Sequence, residues 1–165
     1  MIFLKIIYHL KAIIKKTFFK IIFGKHITFG KGSTFRKGFS IAIEEDGIIK
    51  IGENVYFNNF CSINSLCSIE IGDDCIFGEN VRVYDHNHKF SKKTEKIMKQ
   101  GYSKGPIKIG SDCWIGSNVT ILKGVNIGDN VIIGAGSIID KDIPSNFIVK
   151  PERNLVKEER IWITP

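Results

Sequence analysis

The chain has 165 residues, the length of one domain, with a formal net charge of +7 and four cysteines. A basic balance admits nucleic acid, an anionic membrane or phosphorylated ligands as partners. No zinc-finger spacing, RNP-like aromatic strand or helix-turn-helix pattern accompanies it, so nucleic acid is not expected, and the absence of C-x-x-C argues against zinc.

Residues 1–22, MIFLKIIYHLKAIIKKTFFKII, carry a helical period. Ile2, Ile6, Leu10, Ile13 and Ile14 share one side, Ile21 and Ile22 extend it, and Lys5, His9, Lys16 and Lys20 gather opposite. Lysine interrupts the segment too often for a bilayer span, and no small-residue cleavage site follows it. A basic amphipathic helix of this kind fits an interfacial membrane anchor. It also fits a cap on the open end of the following domain, or a contact between subunits.

From Phe23 the period changes to six. Phe23, Phe29, Phe35 and Ile41 are six apart, with Ile27, Ser33 and Phe39 four residues after the first three. Glu44–Gly47 breaks the count as a turn. The register resumes at Ile51, Phe57 and Ile63 and slips by two before Ile71, Phe77 and Val83, so an enlarged corner is expected near Leu66–Glu70. Tyr84 to Pro106, YDHNHKFSKKTEKIMKQGYSKGP, has no hexad and is polar and basic. Sound register on both sides makes it a loop extruded from the repeat, and long excursions of this kind are usually functional.

The register is strongest from Ile107 to Pro144. Ile109, Ile115, Ile121, Ile127, Ile133 and Ile139 recur every six residues, and Cys113, Val119, Val125, Val131, Ser137 and Ile143 occupy the fourth place after each. A period of six fits neither an amphipathic helix nor an isolated strand. It fits a solenoid in which each coil buries its apolar residue against the next. Gly, Asp and Asn after the Ile are expected to turn the corners by adopting positive φ. Cys61, Cys67, Cys75 and Cys113 fall in the fourth slot and read as small buried hydrophobes in a reducing compartment. The division is therefore 1–22 helix, 23–150 repeat domain with loop 84–106, and 151–165 tail.

His86 and His88 stand where the register ends and the loop begins, in VYDHNHKF. Imidazole titrates near neutral pH, which suits a general base at a loop root, and Asp85 could orient it. A metal site of three converging histidines is not expected, because His9 and His26 lie near the N-terminal segment.

These residues carry a resemblance. The stretch IGSDCWIGSNVTILKGVNIGDNVIIGAGSIIDKDIP, within a match over roughly 23–151, is similar to the coenzyme-binding coils of the hexapeptide-repeat acyltransferases. That group includes galactoside and maltose acetyltransferases and many polysaccharide O-acetyltransferases. The resemblance implies an all-β, left-handed parallel β-helix, a homotrimer with sites between subunits, acetyl-CoA as co-substrate and no metal. It implies His86 as the base that takes a proton from the acceptor hydroxyl, with Asp85 and His88 beside it. Asn58 and Tyr84 would meet the acceptor, and Trp114, Ser117, Ala135, Lys141 and Arg153 would line the CoA groove.

Two departures bear on the acceptor and the groove. IVKPER lacks the Gly of the family's last turn. A basic apolar helix stands where maltose acetyltransferases have an N-terminal domain, which favours a glycan or lipid-linked sugar at the cytoplasmic membrane face. The expectation is therefore an O-acetyltransferase of polysaccharide or surface-glycan assembly. The alternatives are an N-acetyltransferase of an amino-sugar nucleotide, a non-catalytic β-helix scaffold and a γ-type carbonic anhydrase.

Overall fold

The computed structural model of the chain describes residues 2–151. Arg153 and the rest of the tail lie outside the described residues. The helix Ile2–Phe23 leads through a short 3-10 turn, Gly24–His26, into a parallel β-solenoid with three stacked sheets of five, six and five strands. The first sheet starts at Ile27–Phe29 and stacks Ile48–Ile51, Ser68–Ile71, Ile107–Ile109 and Asn126–Ile127. The second runs from Thr34–Phe35 through Tyr56–Phe57, Ile76–Phe77, Trp114–Ile115 and Ile132–Ile133 to Ile148–Val149. The third stacks Ser40–Ile43, Ser62–Ser65, Arg82–Tyr84, Thr120–Ile121 and Ile138–Ile139.

Each coil projects its hexad residue into one narrow core. Ile109, Ile115, Ile121, Ile127 and Ile133 are at most 1% exposed, and Cys113, Val119, Val125 and Val131 fill the places between them. A buried Ile contributes about 1.5–3 kcal/mol, so the ladder is the main stabilising term. Toward the N-terminal end phenylalanine replaces isoleucine. Phe35, Phe39, Phe57 and Phe77 stack with successive centroids 4.4, 4.8 and 4.5 Å apart. The repeat begins at Ile27 rather than Phe23, which closes the helix.

Stacking also revises the roles of the corner residues. The glycines directly after isoleucine do not have positive φ; that conformation falls two places later, at Asn54, Asp74, Asp112, Asn118 and Asn130. Those glycines are required by close approach instead: a Cβ on Gly110 would meet Gly128 C at 2.6 Å and Asp129 N at 2.7 Å.

The helix lies across the open end of the first coil. Ala12 and Phe19 are buried there, and Phe19 packs against Phe29, Phe35 and Phe39 with centroids 6.2–6.4 Å apart. Lys16 turns inward to donate to the Ser33 carbonyl at 2.8 Å, and Lys15 donates to the Phe39 carbonyl, so these lysines cap the coil's polar backbone. Burial lowers the pKa of both ammonium groups. Among the described residues no helix is long and apolar enough to cross a membrane.

Candidate active site

The departures from the hexad stack at one corner, between the third and first sheets. In the first coil the corner is the turn Glu44–Gly47. In the second it is Leu66–Cys67, tighter than the sequence suggests, because Ser68–Ile71 is already strand. Leu66 takes the buried place, and Cys67 is only half-buried. In the third coil the same corner opens into the extruded segment.

That segment is an arm with structure of its own. His86–His88 pairs antiparallel with Tyr102–Lys104, and the buried Gln100 ties its tip through the Lys92 and Glu95 carbonyls. Lys104 at its root pairs with Glu45 of the first-coil turn, which raises the pKa of the lysine.

Asp85 organises the corner and is fully buried. Its Oδ1 accepts from the Leu66 backbone N–H at 2.8 Å, and its Oδ2 accepts from Cys67 N–H at 2.8 Å and the Ser65 hydroxyl at 2.7 Å. The Leu66 and Cys67 N–H groups can only donate, and they meet one carboxyl oxygen each, an arrangement that a carboxylate with both oxygens accepting satisfies. His86 Nδ1 lies 3.0 Å from Oδ1, so this nitrogen carries the proton and Nε2 is left with its lone pair. The sequence placed Asp85 beside His86 without fixing its direction; the turn out of the strand Arg82–Tyr84 directs it onto the ring.

His86 lines a cleft of about 150 Å³ with Ala42, Glu44, Asn64, Tyr84 and Tyr102. The ring is one-fifth exposed, and Tyr102 meets it edge-on at 5.4 Å. Tyr84 lines the same cleft. Glu44, Asn64 and Tyr102 were missed; the signal available was that each sits at one of the three hexad breaks. His88 is not in the cleft. It is exposed on the arm, 4.7 Å from Tyr102.

The expected coenzyme residues divide. Trp114, Ser117 and Ala135 line a second groove of about 340 Å³ with Ile132, Ile148 and Lys150. It runs along the second sheet to its corner with the third. Asn58 lies at that same corner two coils nearer the helix, its Oδ1 accepting from Asn59 N–H and its φ not positive. Lys141 follows the strand Ile138–Ile139, at the opposite edge of the third sheet from the groove, where Lys150 stands instead. Within one chain, then, the His86 cleft and the Trp114 groove lie on different corners.

The four cysteines are free. Burial pushes Cys61 up to about 11, and a hydrogen bond with Cys113, then burial, pushes Cys75 up, so neither is an activated nucleophile. Among the described residues no group of three or more His, Cys, Asp or Glu could hold a metal ion.

Known proteins resemble this geometry. The family model described as the hexapeptide repeat of succinyl-transferase matches residues 106–141. The crystal structure of a maltose O-acetyltransferase from Clostridium difficile 630 is 33% identical, with a TM-score of 0.62, over 80% of this chain and 69% of that one. The chain belongs to the hexapeptide-repeat acyltransferase family. Its fold is the left-handed parallel β-helix of that family. A hexapeptide-repeat acetyltransferase from Vibrio cholerae complexed with acetyl coenzyme A is 25% identical, with a TM-score of 0.60, over 73% of this chain and 67% of that one. A putative lipopolysaccharide biosynthesis O-acetyl transferase of Escherichia coli K12 is 30% identical over 128 residues, 70% of this chain. The chain spans 65% of that relative's length.

Proposed function

We propose that the protein transfers an acetyl group from acetyl-CoA to a hydroxyl of a sugar in polysaccharide or surface-glycan assembly. The observation that carries this reading is the Asp85–His86 pair at the mouth of a cleft. The acceptor hydroxyl lies in the cleft among Tyr84, Glu44 and Asn64. As its oxygen attacks the thioester carbonyl, His86 Nε2 takes its proton and Asp85 steadies the imidazolium that forms. A backbone N–H receives the oxyanion. Collapse of the tetrahedral intermediate breaks the C–S bond, and the proton held by His86 leaves with the coenzyme thiol. A hydroxyl needs this base more than a neutral amine does, so the pair favours O- over N-acetylation. Relatives described as O-acetyltransferases, and a neighbour complexed with acetyl coenzyme A, support the donor and the acceptor class.

The same reading makes the protein a homotrimer. The outward ladder of the second sheet, Ile76, Trp114, Ile132 and Ile148, is in register and 36–62% exposed, an apolar strip suited to a neighbouring copy. Trp114, Ser117 and Ala135 of one copy would hold the coenzyme arm against the His86 cleft of the next, with Lys150, Lys141 or Arg153 meeting its phosphates. Acetyl-CoA as donor places the reaction in the cytoplasm.

The test is acetyl-CoA binding by calorimetry with thioester turnover on a glycan pool, for the wild type and His86→Ala. Binding should survive while turnover falls by roughly 10²–10⁴-fold, the range for a lost general base. Absence of binding in both proteins would refute the reading.

A further inference from the structure

The helix Ile2–Phe23 has two faces, and the solenoid uses one of them. Ala12, Phe19 and the inward lysines are committed to the first coil. The other face presents Leu10, Ile13, Ile14, Phe18, Ile21 and Ile22, each more than half exposed and Ile21 76% exposed. At 100° per residue exposed Lys20 falls on one border of this stripe and exposed Lys11 just inside the other, between Phe18 and Ile22, where long side chains can reach away from an apolar surface. A helix that only capped a coil would carry polar residues outward. This one is apolar on the side that the coil does not need.

Charge indicates what covers the stripe. Residues 1–43 contain nine Lys and Arg and no Asp or Glu, whereas residues 44–165 contain fifteen and seventeen. The acidic turn Glu44–Gly47 balances the three basic residues of the first coil, so the excess positive charge of the chain sits in the helix and its exit, with six lysines and no acidic residue in residues 1–26. Arg36, one of those nine, faces the helix, its guanidinium 5.7 Å from the Tyr8 ring and 5.8 Å from the Tyr56 ring, in the wall of a cavity beneath the helix. A second copy docking through this end would bring two like-charged surfaces together. An anionic lipid surface offers apolar depth for the stripe and negative charge for its borders.

We propose that this helix lies in the plane of an anionic bilayer with its outward stripe sunk into the headgroup boundary, so that the solenoid stands on the membrane by its cationic end. The inference deepens the acyl-transfer reading, on which its consequence for the acceptor rests. The His86 cleft starts at Ala42 and Glu44 in the first coil and reaches His86 two coils further on. With about 5 Å per coil, a helix about 10 Å thick and an immersion of about 5–10 Å, the ring stands roughly 10–15 Å above the headgroup plane. That height suits a sugar carried on a lipid.

The experiment is flotation of the full chain with phosphatidylcholine vesicles, with and without phosphatidylglycerol, at low and high salt. It is repeated for the double variant Ile14→Glu/Ile21→Glu, with acetyl-CoA binding measured on both proteins. The wild type should float only with the anionic vesicles, and high salt or the double variant should each weaken flotation by about tenfold or more. Coenzyme binding should be unchanged, so the membrane inference and the transferase reading can fail separately. If the double variant does not fold, Lys11→Glu/Lys20→Glu should show the same loss through charge alone. Equal flotation with neutral vesicles, flotation unaffected by the substitutions, or no flotation of the wild type would overturn the proposal. A fall in solution mass of the variant without vesicle binding by the wild type would make the stripe an interface between copies and would also overturn it.

Discussion

Replacing Asp85 with Asn tests the link between the corner and the chemistry, because it keeps the volume and changes only which atoms donate. In the native corner the carboxylate receives Leu66 N–H and Cys67 N–H, the Ser65 hydroxyl and the His86 ring. An amide has one acceptor oxygen. Whichever way it is turned, its NH₂ faces Leu66 N–H or Cys67 N–H, and one buried backbone donor loses its partner. Ser65 can rotate to accept, but a backbone N–H cannot. An unsatisfied buried donor costs about 1–3 kcal/mol. For a chain of this size that is a fall in melting temperature of roughly 2–12 °C. If the amide NH₂ turns toward the ring, His86 Nδ1 becomes an acceptor and the ring proton moves to Nε2, which removes the base. If the amide oxygen stays on the ring, the imidazolium loses its counter-charge. Turnover should therefore fall about 10²-fold or more in kcat, while acetyl-CoA affinity stays near wild type. Differential scanning calorimetry and single-turnover thioester cleavage separate the two effects. A folded Asp85→Asn protein with kcat within about threefold of wild type would refute the positioning role of Asp85.

Gly110→Ala forces a Cβ to 2.6 Å from the backbone carbon of Gly128, so urea unfolding should show a loss of about 1–3 kcal/mol; an unchanged midpoint would mean that the coils can separate at that corner. Ile132→Asp places a charge in the middle of the outward ladder of the second sheet. It should convert the proposed trimer to monomer by light scattering and abolish turnover, and an unchanged solution mass would show that this strip is not the contact.

The solenoid was legible because its period is carried by residues with no other reason to recur. Six isoleucines in register, with their fourth-place partners, can bury their side chains together only if successive coils stack. What could not be read was which backbone property each corner residue served. Gly110 and Asn130 both appear as residues tolerant of positive φ. One is instead required by the approach of the next coil, and only the other adopts φ 55. The helix was readable as amphipathic, but not which side would be committed, because Lys15 and Lys16 reach coil carbonyls that sequence spacing does not reveal. His86 stood out through its place at the root of the loop. Glu44 and Asn64 did not, since corners distant in sequence become neighbours only after the coils stack. His88, two residues from His86 and of the same type, was indistinguishable from it until the antiparallel arm placed it on the outside.

The division of the site follows from the same stacking. A proton can pass to His86 only if the reacting oxygen comes within about 3 Å of Nε2, and the thioester must meet that oxygen there. The groove at Trp114, Ser117 and Ala135 opens at the corner between the second and third sheets, whereas His86 stands at the corner between the third and the first. A three-residue strand such as Arg82–Tyr84 spans about 10 Å, so one chain holds the two halves a sheet's width apart. A rigid solenoid cannot fold one corner onto another without breaking the ladder that stabilises it. The proposed reaction therefore requires the groove of one copy to face the cleft of another, and the apolar ladder that includes Trp114 is the surface that can bring them together. On this reasoning a monomeric variant should bind the coenzyme weakly and turn it over not at all, with His86, Asp85 and the whole cleft still intact.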